Sequence, residues 1–180
     1  MVGKEKIIVS IDDSMWGCPL GGVIVGMQIG NGSKPVDMDF ETVGVEFFRP
    51  VAFDQKLYLK EYSRLGRALL AKNNCKPETH RVKICTGYVN SLLASDLLEE
   101  GWGVETGKIE GPLQSRIEEI AKTYIKMITK QDMYYDPKDI PKHQIGKRYY
   151  DMVNWAIRNK KTDLLKTGWG KLRQYAKEAP

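Results

Sequence analysis

The chain has 180 residues, of which 42% are apolar and 28% charged, and its formal net charge is +5. This length and balance suit one folded domain and exclude a fully disordered chain. No apolar run approaches the roughly 20 residues of a membrane span, which excludes a helical integral membrane protein.

Residues 7–11, Ile-Ile-Val-Ser-Ile, are short, β-branched and almost wholly apolar, the pattern of a strand buried on both faces. Asp12-Asp13-Ser14 ends that run. A second strand is expected over residues 22–29. The stretch Gly30-Asn31-Gly32-Ser33-Lys34-Pro35 then supplies strong turn chemistry. A third strand is expected over residues 42–48, so the chain opens as an antiparallel meander. The period then changes. Tyr58, Tyr62, Leu65 and Leu69 recur at helical spacing, which predicts a helix over 54–73. A fourth strand at 82–85, a short helix at 89–99 and a weaker strand at 103–109 follow. Gly111-Pro112 opens a long helix, with proline in a favoured first-turn position. Its apolar stripe is Leu113, Ile117, Ile120, Ala121, Tyr124 and Ile128. Residues 130–143 hold Asp136-Pro137 and Ile140-Pro141 and read as a loop. Helices are expected at 144–160 and 162–177, the second weakened by Gly168 and Gly170.

This order predicts an α/β fold with a mixed five-stranded sheet flanked by helices. Three strands are antiparallel and two further strands are parallel. Residues 1–130 form the core, and 131–180 are a basic helical extension packed on it, in a single domain overall. In such sheets ligands lie beyond the carboxyl ends of the parallel strands.

The charge is unevenly placed. Residues 121–180 hold 14 Lys/Arg against 6 Asp/Glu, whereas residues 1–120 hold 14 against 17. Six of the nine tyrosines also lie in that last third. Basic residues interleaved with aromatics suit a polyanion with stackable bases, hence DNA or RNA. The three cysteines, Cys18, Cys75 and Cys85, form no CxxC pair. Together with a start too short for a signal peptide, they point to a reducing, cytoplasmic setting. His80 and His143 lack partners at metal-ligand spacing, and no GxGxxG, Walker or GxSxG motif occurs.

Asp12 and Asp13 follow the first buried strand directly, at the crevice where a sheet of this kind takes its ligand. Carboxylates there suit Mg²⁺ or Mn²⁺, which prefer oxygen ligands, although Asp-Asp-Ser is also common turn chemistry. The element order over residues 5–130, with its strand-end aspartate, resembles the ribonuclease H-like superfamily of ribonucleases, resolvases, transposases and exonucleases. Ile11-Asp12-Asp13 followed by Pro19-Leu20-Gly21-Gly22 looks more closely like the opening of type 2 ribonuclease H. In that family an Asp-Glu pair ends the first strand and Pro-Leu-Ala-Gly-Pro begins the second. Here Met15-Trp16-Gly17 stands where the family has Gly-Arg-Gly for the RNA–DNA junction.

The resemblance implies a nuclease that hydrolyses phosphodiester bonds with two Mg²⁺ or Mn²⁺ ions, as an exonuclease or a structure-specific endonuclease. It implies catalytic and metal-binding roles for Asp12, Glu110 and Asp151, with Asp13 assisting. The superfamily's strand-four carboxylate is replaced by Cys85-Thr86-Gly87-Tyr88, and Glu110, after the fifth strand, is the substitute. Asp151 resembles the C-terminal acid of the resolvases, although it lies about 120° from the centre of its helix's apolar stripe. Lys147, Arg148, Arg158, Lys160 and Lys161 would hold the strand electrostatically, and Tyr149, Tyr150 or Trp155 would stack on bases. A non-catalytic nucleic-acid-binding protein on the same fold is the alternative. A nucleotide phosphohydrolase related to the actin-like ATPases is a third reading.

Overall fold

A computed structural model describes residues 5–30 and 37–176. The turn expected at 30–35 falls, beyond Gly30, outside the described residues, as do the chain start at 1–4 and Lys177. The chain divides into two compact units that interleave in sequence. The first comprises Met1–Ser14, Ile24–Val43 and Leu59–Ile117; the second comprises Met15–Val23, Gly44–Tyr58 and Glu118–Pro180. The strands are β1 (Ile7–Ser14), β2 (Val23–Ile29), β3 (Asp37–Val43), β4 (His80–Ile84) and β5 (Gly103–Thr106). The helices are α1 (Pro50–Asp54), α2 (Leu57–Lys72), α3 (Ser91–Glu99), α4 (Pro112–Thr129) and α5 (Lys142–Arg158).

The first unit is built on the expected mixed sheet, in the order β3-β2-β1-β4-β5. β1 runs antiparallel to β2, with Asp12 opposite Gly26, and parallel to β4, with Ile11 opposite Ile84. β4 and β5 are parallel. Val9, Ile11, Val25, Met27, Val82 and Ile84 are all buried, which explains the near-continuous apolar runs of these strands. Residues opposite one another across a ladder share a face, and neighbours along a strand alternate. A Cβ on Gly26 would overlap Ile117 and touch Leu113, so the start of α4 lies against the face that carries Asp12. Asp13 points the other way, where Asn90, just before α3, donates to it. Tyr62 of α2 in turn donates to Asn90. α2 and α3 thus cover one face and the first turns of α4 the other.

The second unit centres on rings. Trp16, Phe48, Tyr58 and Trp169 pack together with centroids 5.4–6.2 Å apart, and Phe53 stacks on Tyr58. Lys166 is fully buried among them. Its ammonium donates to the carbonyls of Met15 and Trp16 and lies 5.0 Å from the Phe48 centroid and 5.3 Å from that of Trp169. Charge-assisted hydrogen bonds and ring faces together offset the cost of burying a cation. The Pro-Leu-Gly-Gly segment is buried in the same unit. Its Leu20 bridges Leu165, and the amide of Gly21 donates to the Leu164 carbonyl over 2.8 Å. Gly21 has φ of +70°, and a Cβ there would overlap the Tyr124 ring, so glycine is required on two counts.

Several elements differ from the sequence expectation. The third strand is Asp37–Val43, and Val45–Phe48 is a 3₁₀ turn. Phe48 is apolar because it joins the ring cluster, and a short apolar run cannot distinguish that from a strand. The helix expected at 54–73 begins at Leu57. Lys56, with φ of +53°, separates it from α1. The short helix at 89–99 is a single 3₁₀ turn, Tyr88–Asn90, leading into α3. The last helix is replaced by two 3₁₀ turns, Thr162–Leu164 and Gly170–Tyr175. Between them Gly168 sits so close to Phe53 and the Phe48 carbonyl that no side chain fits. Among the described residues no helix is long and apolar enough to cross a membrane.

Candidate functional site

β4 ends opposite Ile11, so Asp12 and Asp13 continue β1 past the end of its parallel neighbour. Cys85 follows β4 and anchors there through its amide, which donates to the Ile11 carbonyl over 3.0 Å. One ligand atom from each of Asp12, Asp13 and Cys85 lies within 4.8 Å of the others. Asp12 is buried; Asp13 and Cys85 are half-buried. One Asp12 oxygen accepts the Asp13 amide over 2.9 Å, which folds that carboxylate back over the strand end.

Asp13 is held from the other side. Asn90 donates to its Oδ1 over 2.7 Å, and Asn90 Oδ1 accepts the Tyr62 hydroxyl over 2.6 Å. Asn90 and Tyr62 are buried, so this relay runs at low dielectric. Burial, together with the carboxylates of Asp13 and Asp12, holds the Tyr62 phenol far above its ordinary range. The phenol stays protonated and keeps donating.

The donor set decides which ion the cluster suits. Burial pushes the Cys85 thiol up, as do its hydrogen bond to Asp12 and the charges of the two carboxylates. A metal that took Cys85 as a ligand would have to displace the thiol proton, which favours the two carboxylates as the first ligands. These suit a hard divalent cation such as Mg²⁺ or Mn²⁺. Their formal charge of −2 matches one such ion, and a second would need further acids.

Glu110 and Asp151 stand elsewhere. Glu110, exposed, is paired with Lys108, and it is not part of the metal-competent cluster among the described residues. Asp151 belongs to the second unit, where it is exposed on α5 and lines a groove with Arg148, Trp155 and Arg158. Lys147, Arg148, Arg158, Lys160 and Lys161 are all exposed on or just after α5. Tyr150 is exposed and meets Tyr149 edge-on at 5.3 Å. Burial first, then Tyr150 and further neighbours, push the Tyr149 phenol up to about 12. Glu118 of α4 accepts the Tyr134 hydroxyl over 2.6 Å.

In the sequence Cys85 ends an apolar strand and so reads as core, and neither Asn90 nor Tyr62 is marked out for the site. Cys85 is traceable, since it directly follows the apolar run of the fourth expected strand. Nothing local marks Asn90, whose role depends on pairing across 77 residues. No family model and no curated protein matches this sequence.

Proposed function

We propose that this chain is a divalent-metal-dependent nuclease, ribonuclease H-like in kind, that hydrolyses phosphodiester bonds in DNA or RNA. The observation that carries the reading is the convergence of Asp12 and Asp13 at the carboxyl end of the central parallel strand. Like charges this close repel, and a divalent cation relieves the repulsion. When bound, Mg²⁺ or Mn²⁺ would polarise the phosphate and lower the pKa of an attacking water. Asp12 and Asp13 hold the ion, Asn90 and Tyr62 orient Asp13, and the Cys85 thiol donates to Asp12. The reading requires neither Glu110 nor Asp151 as a ligand. The basic and aromatic residues of α5 support a nucleic-acid substrate. The three free cysteines support a reducing, cytoplasmic compartment.

A specific observation also favours a second reading, a nucleic-acid-binding protein without catalysis: the strand-four end carries a thiol where the superfamily has a carboxylate. End-labelled single-stranded DNA, duplex DNA, RNA and RNA–DNA hybrid separate the two. Each is incubated with wild type and Asp12→Asn in Mg²⁺, Mn²⁺ or EDTA. Metal-dependent cleavage that Asp12→Asn abolishes is the expected result, and a ladder or a discrete product tells exonuclease from endonuclease. Gel shifts without cleavage would leave the binding reading in its place.

A further inference from the structure

α5 carries a groove of about 400 Å³ between its exposed side and residues 131–133. Arg148, Asp151, Trp155, Arg158 and Asn159 line it from the α5 side, and Asp132, which is paired with Lys126, lines it from the other. At 100° per residue Arg148, Asp151, Trp155 and Arg158 fall within roughly 80° of one another, beside the buried stripe of Met152, Val153 and Ala156. The groove lies wholly within the second unit.

Trp155 differs from the chain's other tryptophans. Trp16 and Trp169 are engaged in the ring cluster, and Trp102 is buried. Trp155 is half-buried and has no ring partner among the described residues. Arg148 and Arg158 stand in the same groove as Trp155. Arg64, Arg67 and Arg173 are each paired with a carboxylate, but Arg148 and Arg158, like Arg49 and Arg81 elsewhere, have no such partner among the described residues. Asp151 lies in the same groove and still pairs with neither. Ten residues of helix place the two guanidinium stems about 15 Å apart, with Trp155 between them. That span exceeds one mononucleotide and suits a short run of backbone.

We propose that this groove is a single-strand subsite: Trp155 stacks on an unpaired base while Arg148 and Arg158 hold phosphates of the same short run on either side of it. The proposal deepens the nuclease reading and rests on it for the class of ligand. The strand is single because bases inside a duplex stack on each other and present only their edges. Asp151 keeps the groove from being a plain anion trap, because its carboxylate repels phosphate and accepts base amino hydrogens. Free phosphate therefore gains little here, whereas a strand satisfies all four side chains.

The test measures fluorescence anisotropy of a short labelled DNA strand and its RNA counterpart, alone and annealed to a complement. It is run in EDTA with the full chain. Wild type binds the single strands more tightly than the duplexes. Trp155→Ala weakens single-strand binding by roughly tenfold, and Trp155→Phe restores most of it. The double variant Arg148→Ala/Arg158→Ala flattens the log–log salt dependence by about 1.4, or about 0.7 per phosphate contact. Thermal melting checks each variant, and if Trp155→Ala melts early, Trp155→Phe and the arginine pair decide. Unchanged single-strand affinity in Trp155→Ala, or an equal loss on duplexes, overturns the proposal. The same preparations are then given Mg²⁺ and Mn²⁺. Cleavage by wild type with single-strand binding indifferent to Trp155 sinks this subsite and spares the nuclease. Trp155-dependent binding with no cleavage under either metal does the reverse.

Discussion

Each unit buries charge, and the two do so in opposite ways. In the second unit Lys166 is enclosed by two backbone carbonyls and two ring faces, all of sign and geometry to suit a cation. In the first unit Asp12 and Asp13 converge on each other, and like charge is added to like. Asn90, itself held by the Tyr62 hydroxyl, donates to Asp13, and the Cys85 thiol is hydrogen-bonded to Asp12. A buried charge matched by its surroundings serves the fold. A concentration of one sign at a strand end instead stores repulsion that a ligand can release, as functional sites do. The difference makes Lys166 a charge matched by its fold and the aspartates the pair on which the proposed metal site rests.

Opposite stability effects should follow from removing each charge. Lys166→Ala leaves two carbonyls and a cavity among rings. It should cost about 3–5 kcal/mol, or roughly 10 °C in Tm by thermal unfolding. Lys166→Met, which keeps the volume, should cost less. Asp12→Asn should melt at or slightly above wild type in EDTA, because it relieves repulsion and keeps an acceptor for the Asp13 amide. An Asp12→Asn loss as large as that of Lys166→Ala would erase the contrast and make the acid cluster structural.

Asn90→Ala sharpens the comparison at intermediate cost. It strands the Tyr62 hydroxyl and one side of Asp13, for about 1–3 kcal/mol and roughly 5 °C. As a support behind a ligand it should also weaken divalent-ion binding roughly 10–100-fold by calorimetry. A stability loss with unchanged ion affinity would leave Asn90 a fold residue only.

A surface pair sets the lower end of the scale. Asp39 accepts from Lys72 over 2.8 Å and from Asn73, tying the edge strand β3 to the end of α2. The Lys72 hydrogen bond, above all, holds its carboxyl below the ordinary 3.8. The stabilisation is thus fully present above that value and is lost as pH falls through the lower folded one. Asp39→Asn should lower Tm by only about 1–2 °C at neutral pH, and once the pH is below the folded value of Asp39 the two proteins should melt alike.

How much can be read from the residues follows from how local each feature is. β1 and β2 show their double burial as apolar runs, and α4 shows its stripe directly. Asp12 is legible because it ends such a run. The aromatic tail misleads, since residues 162–175 follow the needs of a ring cluster whose members, Trp16, Phe48 and Phe53, lie more than a hundred residues away. Lys166 looks in sequence like any other solvated lysine. Cys85 looks like core because its place beside Asp12 exists only once β4 pairs with β1. Glu110 stands at a plausible helix entrance, but an ion pair two residues away occupies it.

The most direct test of the central claim is thermal unfolding of wild type and Asp12→Asn across a titration of Mg²⁺ and of Mn²⁺. Binding to the folded state alone stabilises by RT ln(1 + [L]/Kd), about 2.7 kcal/mol at a hundredfold excess over Kd. Wild-type Tm should rise with either ion along that curve, and Asp12→Asn should stay flat. An equal rise in both proteins, or none in wild type, would contradict a cation site at Asp12 and Asp13.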